Sequence, residues 1–275
     1  MVQNHLGAQK HPKRMFLFEN NTTKCYNEGN MKQVKIEKLV IQAQEAMKGS
    51  ADPIHGLNHV KRVVKNVENI CEDMHIDDRQ KDAIILAANW HDVSRTITKY
   101  PSIFWMVFLD DLISAFMLLK SCLKLWLFGY TPSTAIKIIF CKSIGTGKLL
   151  TKILLRKKDR ILLDILSDAD MLDVMHIERI ENIMPLTELS KIYLFSYKHL
   201  VSYNLKIKHI KFKTEVAMKQ FEKIIRQLID FLSQPEVLAW HTTNFGKKWC
   251  DEVEKRLREI LDYITLLNLR QFNYV

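Results

Sequence analysis

The chain has 275 residues, 47% of them hydrophobic, and a net charge of +10. That length suits one large domain or two small ones and allows a sizeable core. The 8 Gly and 6 Pro are too few for an all-β fold, which needs many turn breakers, so long helices are expected.

The positive balance favours anionic partners: phosphorylated small molecules, nucleic acid, or an anionic membrane surface. Five scattered cysteines (Cys25, Cys71, Cys122, Cys141 and Cys250) form no CxxC pair. That pattern predicts reduced thiols in the cytoplasm and excludes a zinc-finger framework. The opening MVQNHLGAQKHPKR is polar and no apolar core follows it, so no signal peptide is expected. Without secretion, NTT at 21–23 carries no weight as a glycosylation acceptor.

In chain order, residues 1–30 show no apolar period and predict a mobile arm. Val34, Ile36, Leu39, Val40, Ala43 and Met47 form one helical stripe closed by Gly49. The turn SADPIHG follows. A second helix over LNHVKRVVKNVENICEDM carries His59, Val63, Val67 and Ile70 on one side. The third, DDRQKDAIILAANWHDVSR, begins with acidic residues, as the helix dipole prefers.

Helical patterns continue over about 102–127 and 133–156. The segment DRILLDILSDADMLDVMHIERI turns Leu163, Ile165, Leu166, Met171, Leu172 and Met175 inward. Further helices fit 187–200, 214–232 and 244–268. Only LKIKHIKFK (205–213) alternates apolar and basic residues, and it is expected to be a short extended or basic surface segment. Residues 31–275 therefore predict one all-α domain, with C-terminal helices over 185–275.

The most apolar region, 103–128, is interrupted by Asp110, Asp111, Lys120 and Lys124. No uncharged run in it reaches the roughly 18 residues of a spanning helix. It predicts a buried helical hairpin, or failing that an interfacial or partner-binding helix that could make a homo-oligomer.

Four residues stand out within, or at the ends of, apolar helical stretches: His59, the adjacent pair His91 and Asp92, and Asp170. Two imidazoles and two carboxylates are a borderline-hard ligand set, suited to one divalent metal with positions left for water or substrate. Adjacent side chains on a helix diverge by about 100°, and a metal beside the helix can be reached by both. The metal itself (Mn, Mg, Fe, Co, Ni or Zn) is not distinguished.

IHGLNHVKRV, NWHDVSR and LSDADMLD together resemble the H…HD…D signature of the HD-domain superfamily of metal-dependent phosphohydrolases, over roughly residues 50–180. The resemblance implies an HD-type helical bundle with a central metal held by His59, His91, Asp92 and Asp170, with Asp168 as the fallback for the last ligand. Dinuclear relatives place extra histidines between the HD pair and the final Asp. This chain has none between Asp92 and Asp170, which favours a single metal.

The resemblance implies hydrolysis of a phosphomonoester or a nucleotide, with Asp92, His55 and Arg95 as catalytic candidates. Arg62, Arg95, Lys148 and Lys152 are candidates for phosphate contact, and Lys142 and Arg156 continue the last pattern. Arg95 stands where some single-metal relatives carry a catalytic Glu. Asp173 is expected to orient a ligand, and His176 to be a core histidine. SIGTGKLLTK lacks the first Gly and the Ser/Thr of a phosphate-binding loop and follows no strand, so that reading is set aside. Two other functions remain open: a non-catalytic nucleotide-binding or sensing domain, and a basic nucleic-acid-binding protein. The last lacks the aromatic-plus-basic platform of single-strand binders.

Overall fold

A computed structural model of the chain describes residues 15–50, 52, 54–97, 106–142 and 147–272. Residues 1–14, and with them the start of the expected arm, lie outside the described residues. The helices are α1 (Met15–Lys48), α2 (Leu57–Asp73), α3 (Asp78–Trp90), α4 (Met106–Lys124), α5 (Tyr130–Lys142) and α6 (Gly147–Leu154). They continue as α7 (Arg160–Val174), α8 (Ile177–Leu189), α9 (Lys191–Asn204), α10 (Glu215–Leu232), α11 (Pro235–Phe245) and α12 (Lys247–Phe272). No strand occurs among the described residues, and the all-α expectation holds.

The helix from Met31 extends back to Met15, through the second half of the segment expected to be an arm. The single helix expected over 133–156 is two, α5 and α6; the one expected over 244–268 is α12, and α11 precedes it as a helix the sequence reading did not mark. The latter pair is divided at Gly246, whose φ of 83° suits a residue without a Cβ.

α2 shows why these segments are helical. Val60, Val63, Val67, Ile70 and Cys71 are buried while Lys61 and Lys65 face water, a 3.6-residue period. It ends in a Schellman turn: His75 N–H donates to Glu72 O and Ile76 N–H to Cys71 O, with His75 left-handed at φ 52°. α3 begins with Asp77, whose carboxylate accepts from Gln80 N–H at 2.9 Å. α3 then carries an unbroken buried run from Leu86 to Trp90.

α3 packs on α5, α2 on α7, and α4 on α5, with α1 laid across α3. Trp90 Nε1–H fixes that crossing by donating to Leu39 O at 3.0 Å. The C-terminal helices form a second layer of packing, α8 on α9 and α10 and α11 on α12, joined to the first where α10 meets α7. Leu162 and Ala169 join the buried face of α7, while Leu163 and Met171 are only half-buried.

The alternating segment 205–213 makes no strand. Its centre is a short 3-10 turn, Ile207–His209. Leu205 and Ile210 are buried and the lysines face water, which fits the basic surface segment expected. The Lys213 and Thr214 amides donate to the Asp168 carboxylate, at 3.0 and 2.7 Å.

Candidate metal centre

Three helices meet at one buried point. α2 presents His59 in its first turn, α3 ends just before His91 and Asp92, and α7 carries Asp170 and Asp173. The sequence predicts the His91–Asp92 pair on the helix, but the pair lies just beyond its end. α3 stops at Trp90, His91 is its C-terminal cap, and a 3-10 turn over Val93–Ile97 follows. Both side chains leave from the tight turn at the helix end, and His91 Nε2 and Asp92 Oδ2 come within 3.6 Å of each other.

His59 Nε2 lies 3.3 Å from His91 Nε2. It is also 3.1 Å from Asp92 Oδ2 and 3.6 Å from Asp170 Oδ1. His91 Nε2 lies 3.6 and 3.9 Å from the same two carboxylates. Ligand atoms of His59, His91 and Asp170 fall within 4.8 Å of one another, a cluster that can hold a metal ion. Asp92 closes a fourth side of it.

The tautomers are preset. His59 Nδ1–H donates to Asp173 Oδ2 at 2.7 Å, and His91 Nδ1–H donates to Ala88 O at 2.8 Å. Each Nε2 is therefore left with its lone pair aimed into the cluster. Two lone pairs 3.3 Å apart repel unless a proton or a cation lies between them. A carboxylate behind a ligand imidazole is the arrangement that fixes metal-binding histidines elsewhere.

The charges agree with that donor set. Burial opposes a charged His59, but its bonds to Asp173 and Asp92 outweigh it and raise the imidazole's pKa to about 9. Burial likewise works against the Asp173 carboxylate, and hydrogen bonds from His59 and Arg62 hold it well below the usual range. Asp92 is also held down against burial, by the charge of His91 and the bond from His59. The cluster thus stays anionic and captures a proton. A divalent cation answers the same field with no bound proton.

Asp170 is the member nearest water, its side chain 27% exposed. Lys142 Nζ, at the end of α5, sits 2.9 Å from Asp170 Oδ2 and 3.4 Å from Asp111 Oδ1. Burial works against the ammonium, but the charges of Asp170 and Asp111 push its pKa well up. Burial raises the pKa of Asp111, and Lys142 opposes this only in part. Sequence reasoning passed over Asp111, although a carboxylate inside an apolar helical run is itself a signal. It also missed Arg179, a buried cation that donates to Asp173 at 3.2 Å and to His55 Nε2 at 2.9 Å. No spacing in the sequence points to Arg179.

The other candidates divide clearly. Asp173 has no exposed surface and gathers His59, Arg62 and Arg179, so orientation of His59 and ion pairing coexist in one residue. Arg62 is occupied by Asp173 and, at 2.7 Å, Glu178. His55 Nδ1–H donates to Asp52 at 2.9 Å and its Nε2 accepts from Arg179. Burial and the charge of Arg179 lower its pKa, so it is held neutral with both nitrogens engaged.

Arg95 is buried and pairs with Asp110, which also accepts from Ser94 Oγ at 3.1 Å. It lies one 3-10 turn after Asp92, its N–H donating to Asp92 O at 2.9 Å, and it is no surface charge. Asp168 is turned toward α10, where Thr214 Oγ1–H donates to it at 2.8 Å, so it does not join the cluster. His176 caps α8 half-buried. Lys152 and Arg156 are exposed, and the Lys148 side chain lies outside the described residues.

The all-helical fold and this cluster are compatible with an HD-type domain. A scan against models of known families finds no match. Searches of curated proteins and of solved structures find none either.

Proposed function

We propose that the protein is a metal-dependent phosphohydrolase acting on a phosphomonoester or a nucleotide, with one divalent ion held by His59, His91, Asp92 and Asp170. The observation that carries this reading is the pair of imidazole Nε2 atoms, 3.3 Å apart and flanked by two carboxylates in a buried site, a donor set that needs a proton or a cation between its members. A purely structural core has no reason to set both tautomers inward. When bound, the ion polarises a phosphoryl oxygen and acidifies a water.

The chain's own groups supply the rest. Asp173 keeps His59 in the tautomer that leaves Nε2 free, and Arg62 and Arg179 keep Asp173 ionised. Lys142 offers an ammonium beside the solvent-facing ligand, where a phosphoryl oxygen enters. Asp111, with its pKa raised by burial, is a carboxyl able to hold and release a proton at that same mouth. It is a candidate for the acid/base part that some relatives give to a Glu at the position of Arg95 and that neither Arg95 nor His55 is free to take. Arg95 and His55, engaged by Asp110 and by Asp52 and Arg179, serve as positioning residues in this reading.

A second reading has one specific observation behind it. Arg95 stands at the family's acidic position and is tied down by Asp110, so the domain can bind a nucleotide and a metal without turnover. The test is a phosphatase screen over nucleotides and simple phosphomonoesters, each divalent ion added separately to protein purified without chelator. Metal-stimulated phosphate release, lost in His91→Ala, is expected. Metal and nucleotide binding with no release across the panel would leave only the binding reading.

A further inference from the structure

The net charge of +10 is not spread over the chain. Between Asp111 and Asp159 there is no acidic residue and there are nine Lys or Arg. Lys142 serves the metal cluster, and the others lie away from it or outside the described side chains. This segment builds the α4–α5 hairpin, and the tip of that hairpin is apolar on its outside. Trp126 is 78% exposed, Phe128 57%, Leu123 51% and Phe116 58%.

Trp126 occupies the position where glycine normally ends a helix. Trp126 N–H donates to Leu123 O and Leu127 N–H to Cys122 O, a Schellman turn, and Trp126 has φ 48°. A bulky side chain is strained there. The turn thus holds an indole out in water where a glycine would be more stable. Its ring packs edge-on against Phe128, 6.4 Å between centroids.

Two hollows of about 220 Å³ each adjoin this tip. One is apolar, between Leu119, Leu123, Leu127, Phe128 and Ile136. The other is polar, with Arg79, Ser133, Lys137, Arg156 and the Asp159 carboxylate in its lining. They share Gly129, Ser133 and Lys137. The Arg79 guanidinium lies over the Tyr130 ring at 4.4 Å, and none of Arg79, Lys137 and Arg156 forms an ion pair among the described residues. Lys120 and Lys124 flank the exposed stripe of α4, and Lys32 and Lys35 of α1 reach the far side of Trp126.

We propose that the α4–α5 tip docks on an anionic lipid bilayer: Trp126 and Phe128 enter the interfacial layer, and the Arg79–Lys137–Arg156 hollow takes a lipid phosphate. Aromatic side chains flanked by lysines are what an interfacial helix carries. No helix among the described residues is long and apolar enough to cross a membrane, so the contact is a surface one. Charge favours this occupant over a second copy of the chain, because two such faces would bring lysine against lysine, and the one carboxylate of the hollow, Asp159, is already engaged by Tyr130 Oη–H and Gln80 Nε2–H.

The test is co-sedimentation of the full chain with phosphatidylcholine vesicles, with and without phosphatidylserine. Binding is expected only to the phosphatidylserine vesicles, falling as salt rises. Trp126→Gly is expected to weaken it roughly tenfold, and Arg156→Glu by at least about fivefold. Trp126→Gly relieves a left-handed residue, so its thermal midpoint is expected to stay level or rise, which separates lost binding from lost folding. Equal binding to both vesicle types, or unchanged binding of both variants, overturns the proposal. So does a concentration-dependent dimer dispersed by Trp126→Gly in a chain that ignores vesicles.

Discussion

His91 and His241 are both buried, and each gives its Nδ1–H to a carbonyl about one turn back: Ala88 O at 2.8 Å and Val237 O at 2.7 Å. Their other nitrogens differ. His241 Nε2 accepts from Tyr197 Oη–H at 2.7 Å, inside an aromatic nest with Trp240, Phe245 and Trp249. His91 Nε2 faces a second imidazole and two carboxylates. Both belong to helical layers built by the same apolar periodicity. In the C-terminal layer the polar groups satisfy one another, and burial lowers the His241 pKa so that it stays neutral. In the layer around α2, α3 and α7 they leave a place for a cation. A buried histidine marks a site when its second nitrogen has no uncharged partner.

The largest expected effect separates those two residues. His91→Ala is expected to abolish metal binding and metal-stimulated phosphate release, a loss beyond the about 100-fold seen when only an outer partner is removed. His241→Phe keeps the metal and the activity per folded molecule. It strands the Tyr197 hydroxyl and lowers stability by about 1–3 kcal/mol. Metal titration and denaturant unfolding on both variants distinguish the outcomes. If His241→Phe loses metal as fully as His91→Ala, the distinction between the two layers is wrong.

Lys142→Met comes next. It removes the ammonium beside Asp170 and leaves the ligand set intact. Turnover is expected to fall on the order of 10²-fold, as for loss of one charge-stabilising donor. Metal affinity is expected to hold or tighten, because the cation competing for the Asp170 carboxylate is gone. Steady-state kinetics and a direct metal titration give the two halves of that result. A parallel fall in both would make Lys142 a structural ion-pair partner and no more.

Asp173→Asn tests the support behind His59. The amide oxygen still accepts from His59 Nδ1–H but brings no charge. Metal affinity is expected to fall by about 10–100-fold. Arg62 and Arg179 lose a buried anion at the same time, with a stability cost of about 3–5 kcal/mol if both stay charged. Binding measured well below the unfolding midpoint separates the two consequences.

The fold and the ligands were legible in the sequence to different degrees. The stripes of α2 and α7 are clean because apolar residues recur at helical spacing; His59 lies in the first turn of α2, Asp170 within α7, and His91 just past the apolar run of α3. Where α3 stops was not legible. NWHDVSR has neither Gly nor Pro, and the break after Trp90 rests on tertiary packing. Val34 fits the stripe of α1 by period yet is 56% exposed, since no described residue covers it. What Asp111 and Arg179 do was not legible for another reason. Their roles arise from contacts with Lys142 and with Asp173 and His55, and no periodicity records who meets whom across elements.

Asp168 and Asp170 bring the comparison down to one stretch of chain. They are two residues apart on α7, so their side chains leave about 200° apart around the axis. Asp170 goes to the cluster with His59 and His91, and Asp168 goes to the C-terminal layer, where it accepts from Lys213 N–H, Thr214 N–H and Thr214 Oγ1–H. Thr214 in turn caps α10 by accepting from Ala217 N–H, so Asp168 steadies the residue that starts α10. Asp168→Asn turns one oxygen into an N–H₂ group facing donors, and at least one buried N–H loses its acceptor. The expected cost is about 1–3 kcal/mol of stability, read as a lower denaturant midpoint at unchanged slope. Metal affinity is expected to stay at the level of the parent chain, while Asp170→Asn, with the same change of charge, loses it. If Asp168→Asn weakened the metal as much as Asp170→Asn, α7 would not divide its two faces between the layers.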